Sequence, residues 1–319
     1  MNEFEFLKSH LKTTAADSII KSVGDDCSVT KYDDHFYRIQ STDCLVEDVH
    51  FRLSTMSFAE IAYKSLAVNI SDISAMGGFP QEVHLSVAVP NKVQESQLSE
   101  FFHSFQKACE ENQIHLLGGD LSKSETSLFI NVHISGLVKK ENILFRQGLS
   151  KDSVLCVTGP LGNSAAGLYC LENKNEGFNS LKQFHKHPPI LTDLALFIGG
   201  SHKVLGMMDL SDGLLSDLNH IKNTEIKIHL EQIPLSKELV ELVHQENKDP
   251  YQWALGGGED YELLFNCLDS DFDYLRDSIK EKFNKEIYKI GELKSGENKR
   301  VFMKDNKPVK MDWPSFKHF

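Results

Sequence analysis

Several hallmarks of common protein classes are missing from this 319-residue sequence. No apolar run approaches the roughly 18 residues that a membrane helix needs. The first residues include Glu3 and Glu5, where a secretory signal would be basic. The six cysteines lie far apart without a CxxC pair, which argues against a disulfide framework or a zinc site. We therefore expect a cytoplasmic protein with reduced thiols and no membrane segment.

The familiar nucleotide-binding and catalytic motifs are also absent. The sequence contains neither the GxxxxGK[ST] phosphate loop nor the GxGxxG loop, and it lacks the HRD and DFG motifs of protein kinases. It has no GxSxG nucleophile elbow. If this chain is a kinase, it therefore belongs to neither of the common kinase classes.

Basic residues are in short supply. The chain has 34 Lys and Arg against 46 Asp and Glu, for a net charge of -12. This balance argues against a nucleic-acid-binding surface. An acidic protein can still bind anionic phosphates when divalent cations stand between them. The apolar fraction of 40% and the charged fraction of 25% are typical of a globular protein, and the length suits two domains.

Strand-like and helix-like segments alternate along the chain, which predicts a mixed α/β (α+β) architecture. A long helix is predicted over residues 57–76, because Ser57 and Glu60 form a capping box and Gly77 and Gly78 stop it. The pattern restarts near Leu149, which predicts domains over residues 1–148 and 149–319. Further strands are predicted at 36–41, 83–89, 114–117, 128–138, 153–158, 204–208 and 261–268, and further helices at 95–112 and from Asn163.

Six short segments place carboxylates beside glycine or serine at the end of an apolar run. A single aspartate beside glycine is usually a turn or a helix cap, but six such segments point to a shared site. Carboxylate oxygens suit Mg²⁺, which typically takes one or two of them together with substrate phosphates. The segments are residues 24–26, 41–43, 71–72, 118–120, 209–212 and 258–260.

The segment around Asp72 is the sharpest anomaly. Asn69, Ser71 and Asp72 are weak helix formers, yet they interrupt the apolar pattern of the predicted helix. A buried charge is costly unless it is paired or bound to a metal. Two other residues stay open at this level: Arg146 is either a phosphate clamp or a surface ion pair, and His50 is either a core residue or a substrate contact.

In order, these segments closely resemble the motifs of the bacterial thiamine-monophosphate kinase family. The resemblance implies a fold similar to that of aminoimidazole ribonucleotide synthetase and selenophosphate synthetase. An amino-terminal mixed sheet would dimerise through a shared β-barrel, followed by an α/β carboxyl domain. The matching motifs are GDDC at 24–27, STD at 41–43, VHF at 49–51, KSLAVNISD at 64–72, GGD at 118–120, DLSDGL at 209–214 and GGEDYEL at 257–263.

The resemblance implies that ATP phosphorylates thiamine monophosphate to thiamine diphosphate with several Mg²⁺ ions in a homodimer. Metal ligands would be Asp26, Ser41, Thr42, Asp43, Asp72, Asp120, Asp209 and Asp212. ATP contacts would be Gly119, Asp120, Arg146 and Ser211, and substrate contacts would be His50, Glu259 and Phe316. No residue is expected to serve as general base, because a phosphate monoester with a second pKa of about 6 is already largely a dianion.

Three positions depart from the family pattern. Lys317 replaces an acid in the carboxyl-terminal motif, and Asp48 and Asn219 stand where glycine is usual.

Other readings also remain open. They are a synthetase of the same fold acting on selenide or a ribonucleotide amide, a magnesium-binding regulatory module without turnover, and a two-metal phosphatase.

Overall fold

The structure is a computed structural model, and it describes residues 16–311 together with Phe6 and His10. Phe316, the predicted tail contact with the substrate, therefore lies outside the described residues, as does Lys317. Within the described part of the chain, no helix is both long and apolar enough to cross a membrane.

The amino-terminal half forms a six-stranded mixed sheet. Its strand order is β1-β2-β3-β6-β4-β5, and every neighbouring pair is antiparallel except β4 with β5. One face packs on a core that includes Ile39, Leu45 and Val132. Along β3 these buried positions alternate with exposed Thr42 and Cys44, so the opposite face of the sheet is open and polar. The strands are β1 (Ile19–Lys21), β2 (Ser28–Lys31), β3 (Phe36–Val46), β4 (Phe79–Pro90), β5 (His115–Ser124) and β6 (Phe129–Lys139).

A buried helix, α1 (Phe58–Ala75), lies against this sheet and also contacts the carboxyl-terminal half. Its predicted capping box is present: the Glu60 N–H donates to Ser57 Oγ at 3.2 Å, and the Ser57 N–H donates to Glu60 Oε2 at 2.8 Å. The helix ends before Gly77, whose φ of +72° favours glycine. The second helix, α2 (Glu95–Glu111), packs on α1. Both helices match their sequence prediction to within one residue at each end.

The carboxyl-terminal half forms a seven-stranded mixed sheet in the order β13-β12-β9-β11-β7-β10-β8. Both faces are covered, because Leu155 and Val157 on β7 enter one core while Val154 and Cys156 enter another. Its strands are β7 (Ser153–Val157), β8 (Val204–Asp209), β9 (Thr224–His229), β10 (Leu263–Cys267), β11 (Tyr288–Ser295), β12 (Lys299–Lys304) and β13 (Lys307–Val309). Its helices are α3 (Asn163–Glu172), α4 (Asn179–Lys186), α5 (Thr192–Gly200), α6 (Leu214–Asp217), α7 (Lys237–Glu246), α8 (Pro250–Gly256) and α9 (Asp269–Phe283).

The prediction of a mixed α/β fold is confirmed. The described strands form two open sheets, and the shared barrel stays a prediction, as does the domain boundary near Leu149. Three strands run well beyond their predicted bounds: β3 continues through Asp43 to Val46, β4 begins at Phe79, and β5 continues through Gly119 and Asp120 to Ser124. Strand β5 extends through Gly119 because it pairs with β4 there. The two strands are so close that a Cβ on Gly119 would lie 1.7 Å from the Leu85 carbonyl oxygen. Glycine here permits close strand pairing rather than a loop.

Candidate functional site

Five of the six acidic segments meet at one cleft of about 1000 Å³. They arrive on different elements: the loop between β1 and β2, strand β3, helix α1, the end of β8 and the loop before β10. Residues from both halves of the chain therefore line the same cavity. The acidic, serine and threonine residues at its wall are Asp25, Asp26, Ser41, Thr42, Asp43, Asp72, Asp209, Ser211, Asp212 and Glu259.

Three carboxylates lie close enough to share a cation. Each of Asp26, Asp72 and Asp209 offers an oxygen, and these atoms all lie within 4.8 Å of one another. These three residues form the carboxylate trio. Two hydroxyls orient them: Ser41 Oγ donates to Asp72 Oδ2 at 2.5 Å, and Ser71 Oγ donates to Asp209 Oδ2 at 2.6 Å. The weak helix formers noted in the sequence thus have a role, since Ser71 and Asp72 carry the site on α1.

This crowding opposes ionisation. Burial, together with nearby Asp212, raises the pKa of Asp43 to about 6. Burial and then Asp26 raise the pKa of Asp209 to about 7, and burial with Asp43 raises the pKa of Asp72 well above its ordinary value. Carboxylates held this closely are ionised together only when positive charge compensates them.

Arg146 supplies one such charge. It begins the 3-10 helix Arg146–Ser150, and its Nε and Nη2 atoms donate to Asp26 Oδ1 at 3.0 and 2.5 Å. The other oxygen, Asp26 Oδ2, is buried and has no hydrogen-bond partner among the described residues. An orphaned carboxylate oxygen beside two further carboxylates and the Ser41 hydroxyl fits an oxygen-ligated divalent cation such as Mg²⁺.

The remaining predicted residues are placed less uniformly. Ser211 and Asp212 line the cleft with the trio, whereas Gly119 and Asp120 lie on the exposed strand β5 and do not line it. The strand register explains why Gly119 is far from Asp43. Asp43 on β3 lies opposite Val132 on β6, which lies opposite Leu85 on β4, which in turn lies opposite Gly119 on β5. Three strand spacings amount to about 14 Å. Thr42 lines the cleft, but its hydroxyl donates to the Val132 carbonyl at 3.1 Å.

A second polar group forms around Glu259. Lys64 Nζ lies 2.9 and 3.0 Å from the two Glu259 carboxylate oxygens and donates to the His50 carbonyl at 3.1 Å. His185 Nδ1 lies 3.3 Å from Glu259 Oε2. The His50 ring accepts the Val46 N–H at Nδ1, so a neutral His50 carries its proton on Nε2. His50 and Glu259, the two predicted substrate contacts, thus belong to one hydrogen-bonded group.

Charge in this group is balanced differently from the trio. Burial acts to raise the pKa of Glu259, but the charge of Lys64 holds this pKa below its ordinary value. Burial, and then Lys64, lower the pKa of His185 to about 4, so this imidazole is neutral near pH 7. Glu259 is therefore ionised at neutral pH, and Lys64 is its counter-ion.

Sequence reasoning missed Lys64 and His185. The signal for Lys64 was present, because Lys64, Val68 and Asp72 follow a spacing of four residues and share one helix face. His185 gave no local signal, since only the tertiary fold brings α4 to the loop before β10.

Asp260 has a structural role. Its carboxylate accepts the Gly162 N–H at 2.7 Å and the Ser164 N–H at 3.3 Å, so it caps the start of α3. The neighbouring glycines also serve packing, because a Cβ on Gly258 would lie 2.6 Å from the Ser211 carbonyl oxygen.

Known proteins match this chain along its whole length. A domain model described as AIR synthase related protein, N-terminal domain, matches residues 24–138. The thiamine-monophosphate kinase of Haemophilus influenzae is 34% identical over 332 residues, covering 100% of this chain and 98% of the relative. The chain belongs to the thiamine-monophosphate kinase family. The Bacillus subtilis member is 31% identical over 330 residues, and the match covers 100% of this chain and 100% of that relative.

Solved structures agree with that assignment. The structure of AaThiL complexed with AMPPCP and TMP has a TM-score of 0.84 at 30% identity, covering 100% of this chain and 97% of that chain. The hydrogenase maturation protein HypE of E. coli has a TM-score of 0.71 at 16% identity, covering 88% of this chain and 87% of that one, and shows a shared fold alone. The resemblance found in the sequence motifs is thereby confirmed at the level of family and fold.

Proposed function

We propose that this chain transfers the γ-phosphoryl group of ATP to thiamine monophosphate and forms thiamine diphosphate. The observation that carries the proposal is the cluster of Asp26, Asp72 and Asp209 in a cleft that also holds Glu259 and His50. Family relatives that match the full chain are named for this reaction, and AaThiL was solved with AMPPCP, an ATP analogue, together with TMP.

Asp26, Asp72 and Asp209 are the residues that would hold Mg²⁺, with Ser41, Asp43 and Asp212 close by on the same wall. When bound, Mg²⁺ supplies positive charge that offsets repulsion between the two anionic substrates. Thr42 and Asp120 stay predicted ligands. Ser41 and Ser71 keep two of the three carboxylates oriented toward the shared position through their hydroxyl hydrogen bonds.

The acceptor phosphate needs little activation in this reaction. It is largely a dianion at neutral pH because its second pKa is about 6. The His50 ring and the Glu259 carboxylate belong to the group that would bind the thiamine portion, while the acidic wall would face the phosphates. We propose direct in-line transfer without a phosphoenzyme, in which the protein's main task is to position two anions against each other.

The nucleotide contacts Arg146 and Ser211 are supported by their position at the cleft. Gly119 and Asp120 lie on β5 instead, an edge strand on which Leu117 and Leu121 are 55% and 56% exposed. An exposed apolar edge of this kind favours pairing with another chain. We propose a homodimer formed along β5, and the cytoplasmic location stays a proposal that rests on the sequence.

The test is product formation by the purified protein. Thiamine monophosphate, ATP and Mg²⁺ should yield thiamine diphosphate and ADP in equal amounts, with no product when ATP is omitted. Release of inorganic phosphate without ATP would indicate a phosphatase instead. ATP turnover that requires selenide or a ribonucleotide amide would favour the synthetase alternative, and faster phosphorylation of free thiamine would contradict the assignment of the acceptor.

A further inference from the structure

Lys64 is the most completely buried cationic side chain beside the cleft. The residue has 0% exposure, which is rare for lysine unless its charge is paired. Its ammonium uses contacts to two different segments: the His50 carbonyl in the loop after β3, and both oxygens of Glu259 in the loop before β10. One side chain on α1 therefore ties together two loops from opposite halves of the chain.

Glu259 needs such support. Its φ of +66° lies in the left-handed region, which costs free energy for a residue with a side chain. Its N–H donates to the Ser211 carbonyl at 2.7 Å, which fixes the backbone, while Lys64 fixes the carboxylate. The Glu259 side chain remains 24% exposed at the cleft, so a ligand can still reach it.

The helix also sets a distance. Lys64 and Asp72 are eight residues apart on the same face of α1, which corresponds to about 12 Å along the helix axis. Val68 lies between them and lines the cleft. A single rigid element thus carries the anchor of the Glu259 group at one position and a member of the carboxylate trio two turns later.

We propose that Lys64 is a positioning residue for the acceptor: it holds Glu259 and His50 in one arrangement that receives the cationic, aromatic thiamine portion. This inference rests on the proposed function. The Glu259 carboxylate, kept ionised and oriented, offers its negative charge to the thiazolium ring or accepts hydrogen bonds from the aminopyrimidine. His50 lines the same cleft and is held through its carbonyl by the same ammonium. Lys64 itself is enclosed and acts through these two residues.

The test is the steady-state kinetics of Lys64→Met, which removes the ammonium and retains an unbranched apolar stem. The expected result is an increase of at least tenfold in KM for thiamine monophosphate, with kcat changed less than threefold and KM for ATP changed less than twofold. Lys203→Met is the matched control. Lys203 Nζ lies 2.6 Å from Asp271 Oδ1, and neither residue lines the cleft. An unchanged acceptor KM, or equal losses for both substrates, would overturn the proposal.

A double variant covers the case in which Lys64→Met folds poorly. Lys64→Met/Glu259→Gln removes both charges of the pair, so no unpaired charge stays buried. If Lys64 acts mainly through Glu259, most of its effect on acceptor kcat/KM disappears in the Glu259→Gln background. An undiminished effect there would contradict the positioning role. A wild-type protein that fails to phosphorylate thiamine monophosphate would overturn the proposed function, and this inference with it.

Discussion

Arg146 and Asp26 form the closest charge pair of the candidate metal site, with two guanidinium nitrogens on a single carboxylate oxygen at 3.0 and 2.5 Å. Burial disfavours the guanidinium charge, but Asp26 holds the pKa of Arg146 above its ordinary value. The arginine predicted to bind ATP thus also serves as a counter-ion of the acidic cluster.

Arg146→Met should destabilise the metal-free protein, because it leaves Asp26 buried among other carboxylates. Removing one partner of a buried pair costs about 3 kcal/mol or more. Millimolar Mg²⁺ should recover much of this loss, since it compensates the same carboxylates. Urea unfolding with chelator and with Mg²⁺ measures both effects. Arg276→Met, at an exposed pair, is the control, and an equal loss in both conditions would show that Asp26 is not part of the metal site.

Asp72→Asn should fold but lose nearly all activity. The amide is nearly isosteric, yet it is a poorer Mg²⁺ ligand and relieves charge crowding in the metal-free site. Thermal stability in chelator should therefore be unchanged or raised. Asp277→Asn, on an exposed helix surface, gives the matched control. Near-normal turnover at saturating Mg²⁺ would mean that Asp72 is only a feature of the helix.

The stability of the metal-free protein should depend on pH in an unusual direction. Unfolded aspartates titrate near pH 4, whereas the folded pKa of Asp43 is about 6 and that of Asp209 about 7. Between those values the folded state binds more protons than the unfolded state. The contribution of these two aspartates to the free energy of unfolding therefore falls as pH rises from about 4 to about 7.

Bound Mg²⁺ requires ionised carboxylates and should flatten or reverse this slope. Urea unfolding across that pH range, with chelator and then with Mg²⁺, gives the comparison. Asp72→Asn should show a shallower slope in chelator than the wild type. Identical pH slopes for Asp72→Asn and the wild type in chelator would contradict the mutual repulsion of Asp43, Asp72 and Asp209.

The proposed dimer can be tested at β5. Leu121→Lys places a charge on the exposed edge strand and should shift the protein from dimer to monomer at micromolar concentration, because edge lysines oppose strand pairing. Sedimentation velocity measures the change. Leu268→Lys is a control of similar exposure in the other half of the chain. A wild-type protein that sediments as a monomer would contradict the proposal.

Sequence patterns predicted local structure better than they predicted which segments meet in the fold. Local patterns were sufficient for α1, because its capping box and terminal glycines are encoded within a few residues. The carboxylates of Asp26 and Asp209 could be grouped only by their similar settings, and the fold was needed to bring them together. The placement of Asp120 followed from strand register, which depends on the pairing of β4 with β5 and leaves little trace in the sequence of either strand.

The central claim is that the carboxylates form the nucleotide site through metal ions. At a net charge of -12, the empty cleft should repel a tetra-anionic nucleotide. Unit charges about 4 Å apart interact by roughly 4 kcal/mol at an effective dielectric of 20. Bound Mg²⁺ should turn the repulsion between the cleft and the nucleotide into attraction. Thermodynamic linkage then requires ATP to tighten Mg²⁺ binding by the same factor by which Mg²⁺ tightens ATP binding.

Calorimetric titration of ATP into the protein, first with chelator and then with millimolar Mg²⁺, tests this most directly. We expect no measurable ATP binding in chelator and at least hundredfold tighter binding with Mg²⁺, and a weaker dependence on Mg²⁺ in Asp72→Asn. Comparable ATP affinity in the two conditions would contradict the account, because the nucleotide would then bind without the carboxylate cluster.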